Sequence, residues 1–269
     1  MQMKQKPKLG QNFLVDDAAR HAIVDALGDI SKRTVIEIGP GHGAITEILA
    51  GRCQKLVALE LDRSLVAGLT FSYRHQPQVQ ILETDVLKTD LRVLVQKGES
   101  VDVIGNLPYY ITSDILLHLF EAGSAGLLRR AVLMMQREVA DRVSAAPGVR
   151  DYGLLSATAQ MNARVENLFT LPPSAFSPPP EVYSTVLRLE FAPRFTELGV
   201  DASGFDKFLK QCFAQKRKTL QNNLRAAGYS VKEISDAWPA SVSPQVRAES
   251  MELEPMAELY RSLHRTGDA

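Results

Sequence analysis

Thr34-Val35-Ile36-Glu37-Ile38, then Gly39-Pro40-Gly41-His42-Gly43, then Ile45, Ile48 and Leu49, form the most informative run of the chain. A short apolar run reads as a strand, the glycines as a tight turn, and the spacing after them as the start of a helix. The same alternation recurs downstream. Leu56 to Leu61 reads as a second strand, followed by a helix over Arg63 to Tyr73. Val79 to Leu82 reads as a third strand and Val101 to Ile104 as a fourth. A helix over Ser113 to Glu121, a fifth strand over Ala131 to Met135 and a helix over Glu138 to Ala145 follow. Upstream, Asp16-Asp17 offers a helix cap before Ile23, Val24 and Leu27, with Gly28 as the stop. Strands alternating with helices across short turns mean a mostly parallel sheet covered on both faces, an α/β fold.

The rhythm changes after Tyr152. Val165 to Leu171 and Ser184 to Phe191 read as two strands paired at the sheet edge, joined by a connection carrying Pro172-Pro173 and Pro178-Pro179-Pro180. Pro193, Gly199 and Gly204 then interrupt all periodicity from Ala192 to Ser203, as a linker would. Beyond it, Phe205, Phe208, Leu209, Cys212 and Phe213 return to helical spacing, and Leu220 and Leu224 before Gly228 suggest another helix. The expected division is therefore a large α/β domain over residues 1–193 and a small α-helical C-terminal domain over 203–269.

Composition bounds the possibilities. With 269 residues, 45% of them hydrophobic and 23% charged, the chain can bury a large core, which excludes disorder, collagen and a small disulfide scaffold. Cys53 and Cys212 are too few and too far apart for a disulfide framework, and with five scattered His no metal-ligand spacing is present, so no metal is expected. No stretch approaches the ~18–20 apolar residues that span a bilayer. Met1 to Gly10 lack an apolar core, so a secretory signal is not expected and a cytoplasmic location is.

Lys+Arg and Asp+Glu balance at 31 each, and the net charge is zero. That sum conceals separated poles. Lys207, Lys210, Lys216, Arg217, Lys218 and Arg225 lie in one stretch without an acid, and Lys4, Lys6 and Lys8 add to them. Arg129, Arg130, Arg137 and Arg142 gather around the fifth strand, while Glu249, Glu252, Glu254 and Glu258 cluster near the end. A basic face of this kind steers nucleic-acid phosphates; Lys216, Arg217, Lys218, Arg129 and Arg130 are the candidate RNA contacts, although a basic triplet is ordinarily a solvated helix face.

The glycine turn lets backbone approach a ligand closely, and Glu60, about twenty residues on, can accept hydrogen bonds from ribose hydroxyls. Gly39, Gly41 and Ala44 also satisfy the relaxed dinucleotide fingerprint, so this turn alone leaves a nicotinamide enzyme open. Glu37, Asp85 and Asn106 add acidic or polar strand ends along the carboxyl edge, where open α/β sheets bind ligands. Asn106-Leu107-Pro108-Tyr109 is the sharpest signal. The exocyclic amine of adenine is a poor nucleophile because its lone pair is delocalised into the ring. The Asn106 side-chain oxygen and the Leu107 carbonyl suit its two hydrogens and would turn the lone pair toward an electrophilic methyl. Pro108 stiffens the turn, and Tyr109 offers a face on which an extruded base stacks.

Five segments in order carry a resemblance: Leu9-Gly10-Gln11-Asn12-Phe13-Leu14; Glu37 to Gly43; Asn106-Leu107-Pro108-Tyr109 with Ile111-Thr112-Ser113; Gln136-Arg137-Glu138-Val139-Ala140; and Phe176 to Ser184. The chain resembles the KsgA family of small-subunit ribosomal RNA adenine-N6,N6-dimethyltransferases over nearly its whole length. The resemblance implies a class I, Rossmann-like fold dependent on S-adenosylmethionine. It implies that Asn12 and Leu14 close over the cofactor, that Gly39 lies against its methionine part with Gly41 in the same turn, that Glu60 binds the ribose and that Asp85 binds the adenine amine. Asn106 would stand between cofactor and target, with Tyr109 and Phe176 flanking the target base. The implied substrate is two adjacent adenines in the 3′-terminal hairpin loop of 16S rRNA, within the immature small ribosomal subunit whose maturation the family helps time. Family members commonly carry a basic residue and an Asp where this chain has Glu181 and Tyr183.

Plainer readings stand beside these. Phe176 between prolines is ordinarily a loop aromatic capping the core, Tyr109 and Tyr110 a buried pair, His42 a spacer, and Asp85 and Glu60 solvated strand ends. Three rival functions also stand: a large-subunit RNA methyltransferase of the antibiotic-resistance type sharing an Asn-x-Pro-Tyr turn, a non-catalytic assembly factor, and a nicotinamide oxidoreductase. Leu107 and the Phe176 to Ser184 segment favour the small-subunit enzyme over the first, and the oxidoreductase leaves Asn106 to Tyr109 without a purpose. No long apolar seam argues for a dimer, so a monomer is expected.

Overall fold

The computed structural model describes residues 12–265, so Lys4, Lys6, Lys8 and the Leu9-Gly10-Gln11 part of the first motif lie outside the described residues. Two compact units emerge, one of residues 12–140 with 164–191 and the other of 141–163 with 192–265. The sequence instead places everything up to 193 in one domain. Residues 141–163 pack with the helical part because Ala145, Tyr152, Ala157 and Met161 share a core with Phe205, Phe208, Leu220 and Tyr260.

The first unit opens with β1 (Phe13–Leu14) and α1 (Asp17–Asp25), whose cap is Asp16, its carboxylate accepting from the Ala19 amide at 2.9 Å. The alternating elements follow: β2 (Thr34–Ile38), α2 (Thr46–Ala50), β3 (Lys55–Glu60), α3 (Arg63–Ser72), β4 (Val79–Glu83), β5 (Val101–Asn106), α4 (Thr112–Ser124) and β6 (Leu128–Gln136). A helix α5 (Arg137–Ser144) and a helix α6 (Leu154–Asn162) lead to β7 (Ala163–Leu171), a short β8 (Phe176–Ser177) and β9 (Ser184–Phe191). Seven strands form one sheet in the order β4-β3-β2-β5-β6-β9-β7, while β1 and β8 pair separately and antiparallel. β2 lies parallel to both β3 and β5, β3 to β4, and β5 to β6; β9 runs antiparallel to β6.

This order puts the chemistry on one edge. The parallel strands all end there, at Ile38, Glu60, Glu83, Asn106 and Gln136, and reversed β9 brings its first residue, Ser184, opposite Gln136. Strand β2 is buried along its whole length, as a central parallel strand covered on both faces must be.

The second unit continues with α7 (Phe195–Leu198), α8 (Ala202–Cys212), α9 (Leu220–Ala226), α10 (Val231–Ala237) and α11 (Leu253–Arg265). Phe205, Phe208 and Tyr260 interleave at its centre with ring centroids 5.4–6.0 Å apart. Asp201 caps α8, accepting from the Gly204 amide at 2.6 Å and from the Tyr260 hydroxyl at 2.5 Å, which ties α8 to α11. No helix among the described residues is long and apolar enough to cross a membrane.

Candidate active site

A cavity of about 340 Å³ opens at the carboxyl edge, within the range of small-molecule sites. Asn12, Leu14, Gly39, Gly41, Glu60, Asp85, Asn106, Leu107, Pro108 and Tyr109 all line it, so ten of the residues singled out in the sequence meet in one place.

The glycine turn forms its floor. Gly39, Gly41 and Gly43 have φ of +65°, +61° and +85°, a region that side-chain-bearing residues avoid. A Cβ on Gly41 would lie 2.9 Å from the Phe13 ring, so the turn can pack beneath β1 only as glycine. The following helix starts at Thr46, later than the apolar spacing suggests, because residues 41–45 continue the turn. His42 is exposed, its ring centroid 4.2 Å from that of Phe13.

Glu60 is 4% exposed, and its carboxylate is fixed by backbone: Oε1 accepts from the amides of Leu61 (2.8 Å) and Asp62 (2.9 Å), Oε2 from that of Gly41 (3.1 Å). A carboxylate with one such donor on Oε2 keeps acceptor capacity there for a ligand hydroxyl. Asp85 caps a short helical turn through Oδ1, which accepts from the Leu87 amide at 3.0 Å, and is half-buried on the cavity wall. Glu37, by contrast, does not reach the cavity. It is 2% exposed beneath the glycine turn, where Thr46 Oγ1 donates to its Oε2 at 2.7 Å. Burial, opposed in part by that hydrogen bond and reinforced by neighbouring Glu60, pushes its carboxyl up to about 8.

The Asn106 turn is anchored on every side. Gly105 precedes it because a Cβ there would lie 2.7 Å from the Ile38 carbonyl, closing off β5 from β2. The Leu107 amide donates to the Met134 carbonyl at 2.9 Å, and Thr112 Oγ1 donates to the Pro108 carbonyl at 3.0 Å. Asn106 Nδ2 donates to the Asn12 carbonyl at 2.9 Å, which leaves Oδ1 as the acceptor of that side chain. The Tyr109 hydroxyl shares a hydrogen bond of 2.6 Å with Ser184 Oγ, and desolvation raises the phenol despite that bond. Tyr109 and Tyr110 are therefore not a buried pair: Tyr110 is 62% exposed at the cavity mouth.

Three expected site residues lie elsewhere. Phe176 is not at the cavity; it is 3% exposed in the core with Leu14, Ala175 and Val186, held there by its β1 pairing with Leu14. Arg129 and Arg130 stand at the start of β6, the edge opposite the cavity, and are occupied. Arg129 donates two parallel hydrogen bonds to fully buried Asp102 (Nε to Oδ1 2.8 Å, Nη2 to Oδ2 2.6 Å), and Arg130 pairs with Glu190 at 2.5 Å. Lys216, Arg217 and Lys218 are exposed, on the turn between α8 and α9 rather than on a helix face. Phe13 and Ser184 are further site residues, Phe13 through its ring over Gly41 and Ser184 through its bond to Tyr109, and nothing in the sequence motifs that contain them marks either role. Among the described residues no group of three or more metal-ligating side chains exists.

A seven-stranded sheet of this order, with a glycine turn after its first long strand, an acid ending the next and Asn-Leu-Pro-Tyr ending another, defines a class I S-adenosylmethionine-dependent methyltransferase. The cradle fits that cofactor: glycine backbone for close approach, Glu60 as an acceptor for hydroxyls, Asp85 as an acceptor for an amine, and apolar Leu61, Val86 and Leu107 on the walls. By sequence the chain belongs to the ribosomal RNA adenine dimethylase family, which it matches over residues 2–264. It is 59% identical to the ribosomal RNA small subunit methyltransferase A of Acidobacterium capsulatum, covering 97% of this chain and 92% of that one. The Koribacter versatilis protein of the same name is 54% identical, with 97% and 95% covered. In fold it is similar to a dimethyladenosine transferase from Plasmodium falciparum, with a TM-score of 0.78 at 22% identity over 95% of this chain and 98% of that one. The 23S rRNA methyltransferase ErmE shares the fold as well, with a TM-score of 0.70 at 23% identity over 94% and 100%.

Proposed function

We propose that this enzyme transfers methyl groups from S-adenosylmethionine to the N6 amines of two adjacent adenines in the 3′-terminal hairpin loop of 16S rRNA, acting as a cytoplasmic monomer on the immature small subunit. The observation that carries the reading is the Asn106 side chain, held by its Nδ2 bond to the Asn12 carbonyl so that its oxygen is the group left to meet an amine at the cavity. High identity to proteins named small subunit methyltransferase A supports the small subunit over the large one, a choice that the fold shared with ErmE does not make.

When bound, the cofactor supplies a methyl activated by a sulfonium. The chain's part is to present the amine. Asn106 Oδ1 and the Leu107 carbonyl accept its two hydrogens, Tyr109 supports the base by stacking, and Pro108 keeps the turn rigid. A proton then leaves to water, so no strong base is needed. Asn12 and Leu14 close the cavity, Gly39 and Gly41 let backbone approach the cofactor, Glu60 accepts from its ribose and Asp85 from its adenine amine. Lys216, Arg217 and Lys218 engage RNA phosphates; buried Phe176 supports this wall from behind through its pairing with Leu14.

The test is transfer of labelled methyl to purified immature small subunits and to large subunits, followed by nucleoside analysis. Dimethyladenosine in the small-subunit RNA is expected. Its absence there, or its appearance only in the large-subunit RNA, rejects the proposal.

A further inference from the structure

Beside the cavity stands an aromatic and cationic pair that the chemistry above does not use. Tyr183 is 46% exposed, although a tyrosine next to a sheet has every opportunity to pack inward. The Arg137 guanidinium lies over its ring, 5.3 Å from the centroid. Arg137 is itself exposed, and among the described residues no carboxylate lies within ion-pair distance of it. The pair is held by backbone: the Arg137 amide donates to the Tyr183 carbonyl at 3.0 Å, directly beyond the Gln136–Ser184 register of β6 and β9. Its place relative to the site is equally fixed. Tyr183 immediately precedes Ser184, whose hydroxyl holds that of Tyr109 at 2.6 Å.

We infer that Arg137 and Tyr183 form a second nucleotide subsite, which binds the RNA residue adjoining the one held at Tyr109; the inference rests on the RNA reading above. An exposed aromatic face next to an arginine is the combination that holds single-stranded nucleic acid: any base can stack on the ring, and the guanidinium can meet a phosphate with two parallel hydrogen bonds. Arg over the ring also keeps the platform oriented before RNA arrives, which lowers the entropy lost on binding. A nucleotide drawn out of a stack toward Tyr109 leaves its neighbour unstacked, and the subsite supplies that neighbour with a replacement surface. Because stacking accepts every base, the subsite positions the strand and does not read its sequence.

The test uses the full chain, immature small subunits and labelled S-adenosylmethionine, with KM measured separately for subunit and for methyl donor. Tyr183→Ala is expected to raise the subunit KM about tenfold, the scale of one lost base stack, with the donor KM unchanged. Tyr183→Phe, which keeps the ring, is expected to stay within about twofold of the native subunit KM, and Arg137→Gln to raise it and weaken its salt dependence. A native subunit KM in Tyr183→Ala, or an equal rise in donor KM marking a general disturbance, overturns the inference. If the native chain leaves small-subunit RNA unmethylated, it is the functional reading that falls, and a short single-stranded RNA binding to native chain and Tyr183→Ala alike then rejects the subsite independently.

Discussion

The Tyr109 hydroxyl and Ser184 Oγ lie 2.6 Å apart, joining the turn after β5 to the first residue of β9, 75 positions away in the chain. Ser184 is fully buried, so the bond fixes the tilt of a ring whose other face must receive the base. Removing one partner leaves a half-buried hydroxyl without its mate and frees the ring, at a cost of about 1 kcal/mol. Ser184→Ala is therefore expected to lower kcat several-fold and leave the donor KM unchanged. In a double-mutant cycle with Tyr109→Phe the second substitution should add little to the first. Fully additive losses show that the two hydroxyls act separately.

Asn106 has two duties on opposite ends of one amide, and substitutions separate them. Asn106→Ala removes both, so methyl transfer should disappear while subunit binding persists. Asn106→Asp keeps an acceptor but sets a carboxylate oxygen against the Asn12 carbonyl, where Nδ2 now donates at 2.9 Å. Donor affinity should fall in Asn106→Asp by more than in Asn106→Ala, as equilibrium dialysis of labelled donor will show. Equal donor affinity in the two variants contradicts the anchoring role of the Asn12 carbonyl.

How much of the fold is legible in the sequence follows from range. The strand, turn and helix repeats are local signals, and they suffice to place Glu60, Asp85 and Asn106 on the common edge where the structure has them. Helix α6 leaves no periodic signal in the sequence because Ser156, Ala157, Thr158, Ala159, Met161 and Asn162 are all buried, so it shows no polar face for a period to reveal. Nothing near Arg129 in the sequence reveals its partner, because Asp102 stands 27 residues earlier on a neighbouring strand. Phe176 and Phe13 illustrate the same point in opposite directions. Pairing of β1 with β8 puts Leu14 opposite Phe176, sinks Phe176 into the core, and leaves Phe13 over the glycine turn at the cavity.

Buried Glu37 makes stability fall as pH rises. Its folded carboxyl titrates near 8 against an ordinary 4.5, so between those values the folded chain binds a proton that the unfolded chain has released. Below about 4.5 both states are protonated and the burial carries no proton-linked cost; above about 8 both are ionised and the cost is complete. Glu37→Gln keeps an oxygen for the Thr46 hydroxyl and cannot ionise. Urea unfolding from pH 5 to pH 9 should show the native chain losing on the order of a few kcal/mol relative to the variant. Parallel curves for the two proteins reject this account.

The arginines at the start of β6 and the basic turn before α9 carry charge of the same sign and have opposite expected roles. Arg129 compensates Asp102, which has no exposed surface and whose only other cation among the described residues, Arg33, stands 3.5 Å away. Breaking such a pair strands a buried carboxylate; because Arg129 is one-third exposed and Arg33 remains, Arg129→Ala should cost roughly 2 kcal/mol, less than a fully buried pair. It should lower the unfolding midpoint and leave the salt dependence of subunit binding as it was. Lys216, Arg217 and Lys218 offer the opposite pattern, since all three are exposed. Changing them together to Ala should barely move the unfolding midpoint, yet weaken subunit binding and reduce the slope of log affinity against log salt by about 2, fewer counterions being released. Measuring both variants at two or more salt concentrations separates charge that supports the fold from charge that meets RNA; a flattened slope in Arg129→Ala, or an unchanged one in the triple variant, reverses the assignment.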